Sequence, residues 1–185
     1  MSEQQDFRKL GYVGSLKPAV DRNDWFTPAK YIEAARAVLG EIEFDPYSDP
    51  VANETVKALR IRTKLDDSNE PWPDVKTVFM NPPYQRGMVE KAVNEFCFEL
   101  ERQRFSGIVL VNNATETKWF QTLLYHAHAL CLTDHRIAFN QVDGKAVSGN
   151  TRGQAFFCFD YAEKGWEVRS RFMNEFEQFG YLMNA

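Results

Sequence analysis

The sequence predicts an α/β domain, a mainly parallel sheet flanked by helices with a late antiparallel strand or hairpin. Three observations predict it. Short apolar runs recur along the chain, at Thr77-Val78-Phe79-Met80, Gly107-Ile108-Val109-Leu110-Val111 and Ala155-Phe156-Phe157-Cys158-Phe159, and their length and continuity are those of buried strands. Stretches of roughly 12 to 17 residues with apolar side chains at helical spacing lie between such runs, and this alternation gives a parallel sheet with right-handed crossovers. The chain of 185 residues, 44% apolar and 14% aromatic, is long enough to fill one core and too short for two. The expected organisation is an irregular arm, residues 1–20, followed by one domain, residues 21–185.

The elements follow in order. Thr27 can cap a helix, Pro28 suits its first turn and Gly40 its end, while Ile32, Ala35, Val38 and Leu39 supply an apolar face. Glu41-Ile42-Glu43-Phe44 reads as a short strand stopped by the turn Asp45-Pro46-Tyr47-Ser48-Asp49-Pro50. Residues 51–73 permit a short helix and a strand near Ala58 to Lys64. The strand at 77–80 is followed by the turn Asn81-Pro82-Pro83-Tyr84, then by a helix from Gly87 to Gln103 with Val89, Val93, Phe96 and Leu100 at helical spacing. The strand at 107–111 leads through Asn112-Asn113 to a helix over 116–128, and Ala129-Leu130-Cys131-Leu132 begins the next strand. Trp119, Phe120, Leu123, Leu124 and Ala127 read as the core face of the helix before it. Arg136-Ile137-Ala138-Phe139 enters a polar stretch, 140–153, and Trp166, Phe172, Phe176 and Phe179 predict a final amphipathic helix packed on the domain.

The net charge of −4 argues against a domain built on phosphate contacts all over its surface. A nucleic-acid grip must come from a local patch, Arg60, Arg62 and Lys64, or Lys145 and Arg152. No run approaches the roughly 18 apolar residues of a membrane span, and the polar start is unlike a signal peptide, so a cytoplasmic location without membrane contact is expected. Cys97, Cys131 and Cys158 are widely spaced and set among apolar neighbours, which predicts reduced core thiols. His126, His128 and Cys131 do not form a metal set, because two histidines two apart face different sides of a helix.

The chemistry concentrates after the strand at 77–80. An amide, two prolines and an aromatic ring at a strand's end suit a planar group that carries an amine. Such a nitrogen is a poor nucleophile while its lone pair is delocalised into the ring. The side-chain oxygen of Asn81 and a carbonyl of the proline turn, that of Pro82, can each accept one amine hydrogen. The prolines remove competing donors and stiffen the turn, and Tyr84 can stack on the ring. With a methyl donor on the far side of the nitrogen, catalysis is mainly positioning.

These residues carry a resemblance. Asp24-Trp25-x-Thr27-Pro28, Phe44-Asp45-Pro46, Trp72, Asn81-Pro82-Pro83-Tyr84, Trp119-Phe120 and Arg136-x-x-Phe139 together resemble the phage-type DNA N6-adenine methyltransferase (Dam) family over roughly residues 21–160. The tetrapeptide alone also resembles protein glutamine and RNA methyltransferases; the combination is more specific. The resemblance implies a Rossmann-like methyltransferase domain that uses S-adenosyl-L-methionine on a flipped-out adenine of double-stranded DNA. It implies Asn81, Pro82, Pro83 and Tyr84 as the catalytic turn. Trp25, Thr27, Pro28, Asp45, Pro46, Asp66 and Asn81 become candidate cofactor contacts, Thr27 and Pro28 as the segment that closes over the methionine end. Recognition then falls to the arm, the 48–72 region and the 140–153 loop, in a monomer or a homodimer. One departure is that Tyr47-Ser48-Asp49-Pro50 lacks the glycine-rich loop that many amino methyltransferases place after this strand. An RNA or glutamine methyltransferase and a catalytically silent nucleic-acid-binding relative are the alternatives.

The motifs also have plain structural readings. A Pro-Pro turn can be only a rigid connector, Thr27-Pro28 only a helix start, and Asp45-Pro46 only the end of a strand; their order along one chain favours the site.

Overall fold

The computed structural model describes residues 26–63, 70–141, 151–161 and 166–185. Asp24, Trp25, Lys64, Asp66 and Lys145 lie outside the described residues, as do the arm and most of the 140–153 stretch. Among the described residues the elements are α1 (Ala29–Leu39), β1 (Phe44–Asp45), α2 (Pro50–Val56), β2 (Arg60–Ile61), β3 (Thr77–Met80), α3 (Met88–Gln103), β4 (Ser106–Asn112), α4 (Lys118–His126), β5 (Ala129–Thr133), β6 (Gln154–Asp160), α5 (Glu167–Phe176), a 3-10 turn (Glu177–Phe179) and β7 (Gly180–Asn184).

One sheet joins all the strands, in the order β2-β1-β3-β4-β6-β5-β7. The run β2-β1-β3-β4 is parallel; β6 enters antiparallel between β4 and β5, and β7 is antiparallel on the outer side of β5. The architecture is thus α/β with a mixed sheet whose late strands are antiparallel, the arrangement of a methyltransferase-like fold.

Alternation along the central strands builds both layers. Ile108 and Leu110 of β4 and Phe156 and Cys158 of β6 face α1 and α5, where Ile32, Ala35, Val38, Phe172 and Phe176 are buried. Val109, Val111, Phe157 and Phe159 face α3 and α4, against Phe96, Leu100, Phe120 and Leu123. The period of two on each strand matches the helical period of the covering face. All three cysteines are free and buried, and burial pushes the Cys97 and Cys131 thiols up to about 12.

Several sequence expectations need correction. Helix α1 is capped by Pro28 with no side-chain cap bond; the Thr27 hydroxyl is engaged elsewhere. The expected strand at 41–44 shrinks to Phe44–Asp45, because Glu41 and Glu43 use their backbone groups on the Thr77 side chain. Helix α2 begins inside the segment read as a turn, with Asp49 accepting from the Val51 and Ala52 amides and Pro50 in its first turn. Helix α5 stops at Phe176, so Phe179 is buried from the 3-10 turn, and Trp166 stands 66% exposed at the helix start.

Strand β7 was not expected, and it places a strict demand on Gly180. Gly180 pairs with Thr133, and a Cβ there would fall 2.0 Å from the Leu132 carbonyl oxygen. That contact is with backbone and cannot relax by a rotamer change. Gly180→Ala should therefore lift the start of β7 from β5 and cost roughly 2–3 kcal/mol. Thermal unfolding should register it as a melting temperature lower by roughly 4–12 °C.

Candidate active site

Consecutive parallel strands lie side by side until the chain reverses direction of travel across the sheet, between β1 and β3. β2 was added on one side of β1, and β3 and β4 follow on the other. Such a switch point opens a crevice beyond the carboxyl ends of the two strands. Both proline turns are there, Asp45-Pro46 at the end of β1 and Asn81-Pro82-Pro83-Tyr84 just after β3, with Phe44 paired to Val78.

Asn81 is fixed by its nitrogen. Its Nδ2 donates to the Thr27 hydroxyl at 3.1 Å, which joins the Thr27-Pro28 segment to the turn after β3. Its Oδ1 is buried and has no hydrogen-bond partner among the described residues. A buried carbonyl without a donor is costly, on the order of 1–3 kcal/mol, so it calls for an explanation. The segment carrying Thr27 is itself held, since Phe26 and Asn140 exchange two backbone hydrogen bonds of 2.9 Å.

Tyr84 is held by its hydroxyl. β4 outruns β3, since Met80 pairs with Val109 and Asn112 lies beyond the last pair. The Asn112 amide donates to the Tyr84 hydroxyl at 2.8 Å instead. Burial of that end pushes the phenol above its ordinary range, against the Asn112 bond that favours the anion. The residue as a whole is half-buried.

On the β1 side, Asp45 is 4% exposed. Burial pushes its carboxyl up to about 7, against bonds from the Tyr47 amide and the Ser48 side chain; the Asp49 charge adds to the rise. The Tyr47 amide donates to Asp45 Oδ1 at 3.1 Å. The absent glycine-rich loop is replaced by an ion-pair brace. Arg62 makes two 2.6 Å bonds to the two oxygens of Glu95 on α3, Tyr47 donates to the same carboxylate at 2.6 Å, and Arg62 Nε donates to the Pro46 carbonyl at 3.3 Å. Burial opposes both charges, yet the pairing prevails: Arg62 is held above and Glu95 below its ordinary value. Trp72 is buried against Phe44, Phe96 and Phe105, with the Arg62 guanidinium 5.9 Å from its ring centre.

The structure thus sets Asp45-Pro46 and Asn81-Pro82-Pro83-Tyr84 at the carboxyl ends of the adjacent strands β1 and β3, and ties Thr27-Pro28 to the second turn through the Thr27–Asn81 bond. Arg62 is withdrawn from the expected phosphate patch, since it is buried and committed to Glu95 and the Pro46 carbonyl; Arg60 donates to the Asp74 carbonyl at 2.8 Å. The histidines have separate surroundings, His126 near Glu101 and His128 accepting from the Asp160 amide. Sequence reasoning missed the Arg62–Glu95–Tyr47 brace and Gln154, a buried amide opening β6. A glutamine at the head of an otherwise apolar strand was the available signal for the second.

Fold and crevice together define a methyltransferase-like class of α/β protein. The family model described as DNA N-6-adenine-methyltransferase (Dam) matches residues 14–174, and the chain belongs to that family. A comparison with curated proteins finds no match. Among the described residues, no helix is long and apolar enough to cross a membrane.

Proposed function

We propose that the chain transfers a methyl group from S-adenosyl-L-methionine to the N6 amine of an adenine flipped out of double-stranded DNA. The observation that carries this reading is the divided state of Asn81, whose nitrogen is bound to Thr27 while its buried oxygen lacks a donor. An exocyclic amine supplies that donor. Its second hydrogen goes to a carbonyl of the proline turn, that of Pro82, and the two acceptors together draw the lone pair out of conjugation. Tyr84 offers its ring as the stacking platform at a height set by Asn112. The base must leave the duplex because the amine is engaged in pairing, at a cost of about a few kcal/mol.

The residues on the β1 side fit the cofactor. A buried carboxylate with one backbone donor suits an ammonium, so Asp45 would hold the methionine amino end, with Pro46, Thr27 and Pro28 lining the same crevice. Trp25 and Asp66, outside the described residues, are assigned to the cofactor by the family resemblance alone. When bound, the cofactor supplies a methyl on a positively charged sulfur, open to in-line displacement. The chain's own contribution is to orient the amine and accept hydrogen bonds from its two N–H groups; once the N–C bond has formed and the C–S bond has broken, the surplus proton on nitrogen leaves to solvent. We further propose a single domain over residues 21–185, acting as a monomer or homodimer in the cytoplasm.

Labelled methyl offered with unmethylated duplex DNA, structured RNA and glutamine-bearing protein tests this reading. Incorporation into DNA is expected; incorporation only into RNA or protein would move the function to the alternative amine. Tyr84 provides a finer check. Tyr84→Ala should raise KM for DNA by roughly 10- to 100-fold, the equivalent of about 1–3 kcal/mol of stacking. Tyr84→Phe keeps the ring but strands the Asn112 amide, and should raise KM only about three- to tenfold. Steady-state kinetics on plasmid DNA separates the two.

A further inference from the structure

We infer that Gln154 is a positioning residue for the target side of the site, the link that closes a path of hydrogen bonds and short backbone segments between Asn81 and Tyr84. The inference rests on the functional reading just given and extends it to a residue that touches neither base nor cofactor.

Gln154 is 1% exposed, and every polar group of its side chain is used across segments. Its Oε1 accepts from the Ile137 amide at 2.8 Å. Its Nε2 donates to the Arg152 carbonyl at 2.7 Å and to Asn112 Oδ1 at 3.3 Å. Its backbone is clamped by Thr133, whose hydroxyl accepts from the Gln154 amide at 3.2 Å and donates to its carbonyl at 3.1 Å. Asn112 is therefore used at both ends, with its side chain on Gln154 and its amide on the Tyr84 hydroxyl. From Ile137 the chain runs to buried Phe139 and to Asn140, which pairs with Phe26 beside Thr27. Thr27 then holds Asn81.

The path Asn81, Thr27, Phe26, Asn140, Ile137, Gln154, Asn112, Tyr84, in which the backbone itself joins Thr27 to Phe26 and Asn140 to Ile137, thus begins and ends on the same proline turn. It ties the amide that receives the amine and the ring that receives the base to one buried side chain. The β1 side does not enter this path; Asp45 is shaped by Tyr47, Arg62 and Glu95. A connection of this kind fixes geometry through its satisfied members, Gln154 and Asn112, and leaves the Asn81 oxygen open toward the target. Losing the central amide should loosen Tyr84 and the Ile137–Asn140 segment together while leaving the Asp45 turn, the main cofactor anchor, in place.

The test uses the full chain with Gln154→Met, which keeps the volume and removes all three side-chain bonds, and Asn112→Ala, which removes only the Asn112–Gln154 link from a half-buried position. Kinetics are measured on unmethylated plasmid DNA, with calorimetric titration of S-adenosylmethionine. Gln154→Met should raise KM for DNA about tenfold and Asn112→Ala about threefold, the size of a lost buried hydrogen bond. The cofactor Kd should stay within about twofold of the parent. A residue needed only for folding would reduce the active fraction, and so the apparent kcat, without moving KM. Unchanged KM in both variants, or cofactor affinity falling in parallel with KM, overturns the inference. If Gln154→Met fails to fold, Asn112→Ala decides by the same criteria. A parent protein that methylates no DNA removes the underlying reading and the inference with it, whereas an active parent with variants of unchanged KM removes the inference alone.

Discussion

Asn81→Ala is expected to lower the rate of methyl transfer by at least about 10²- to 10³-fold, the range seen when one preorganised polar group facing the reacting centre is removed. The cofactor Kd should stay within about twofold, because Asn81 acts toward the target amine. Stability should change little: the variant removes a buried oxygen that had no partner, and Thr27 loses a donor that water can replace. Asn81→Asp keeps an acceptor in the same place and lets the Thr27 hydroxyl become the donor, so it should retain more activity than Asn81→Ala. Single-turnover incorporation of labelled methyl, with calorimetry on the same preparations, measures all three effects. A loss of cofactor binding equal to the loss of rate would instead put Asn81 on the donor side.

Asp45→Asn is expected to improve stability and impair cofactor binding. The Asp45 carboxyl is raised to about 7 by burial, above its value in the unfolded chain. The folded state therefore binds the extra proton, and the associated stability is complete below about pH 4 and is lost as pH rises through about 7. At pH 8 the parent protein holds a buried carboxylate against desolvation, and the neutral amide of Asp45→Asn does not. The variant should be more stable there by roughly 1–3 kcal/mol, an increase in melting temperature of roughly 2–12 °C, and the advantage should shrink as pH falls below about 7 and vanish by about pH 4. Binding runs the other way. The carboxylate that would receive the methionine amino group forms only as pH rises through about 7, so cofactor affinity should increase about tenfold between pH 6 and pH 8. Asp45→Asn should remove that dependence and weaken binding at pH 8 by at least about tenfold. Calorimetric titration at the two pH values, beside thermal unfolding, reads both signs; parallel losses of stability and affinity would make Asp45 a structural residue only.

What the sequence made legible was the part written in local patterns. The strands at 77–80 and 107–111, helix α3 and the proline turns declare themselves by apolar periodicity and by residues whose backbone options are few. Helix α2 was equally legible, because Asp49-Pro50 is a cap followed by a first-turn proline, but the preceding Asp45-Pro46 drew the whole segment into one turn. Strand β7 was hidden for a different reason. Gly180-Tyr181-Leu182-Met183-Asn184 has no alternation, and it becomes a strand because β5 offers it an edge, a tertiary cause that local preference does not contain.

The site divides along the same line. Asn81, Pro82, Pro83 and Tyr84 are contiguous, so their chemistry could be argued from the tetrapeptide. The Thr27–Asn81 bond spans from the start of α1 to the end of β3, and Thr27 looked like a helix cap until the fold gave its hydroxyl another partner. Arg62 reads in the sequence as part of a phosphate patch and no local pattern singles out Glu95; only packing turns them into the brace that shapes the Asp45 turn. The missing glycines were therefore a true difference in how the turn is built, and the brace is its physical counterpart.

The central claim is that the unpartnered Asn81 oxygen receives the N6 amine of a DNA adenine. Expressing the chain in a host without DNA methylation, and reading its genome by sequencing that detects N6-methyladenine, tests it most directly. The account predicts N6-methyladenine at a short recurrent sequence with the parent chain and none with Asn81→Ala; unmodified adenine with a folded, cofactor-binding parent chain, or equal modification by Asn81→Ala, would contradict it.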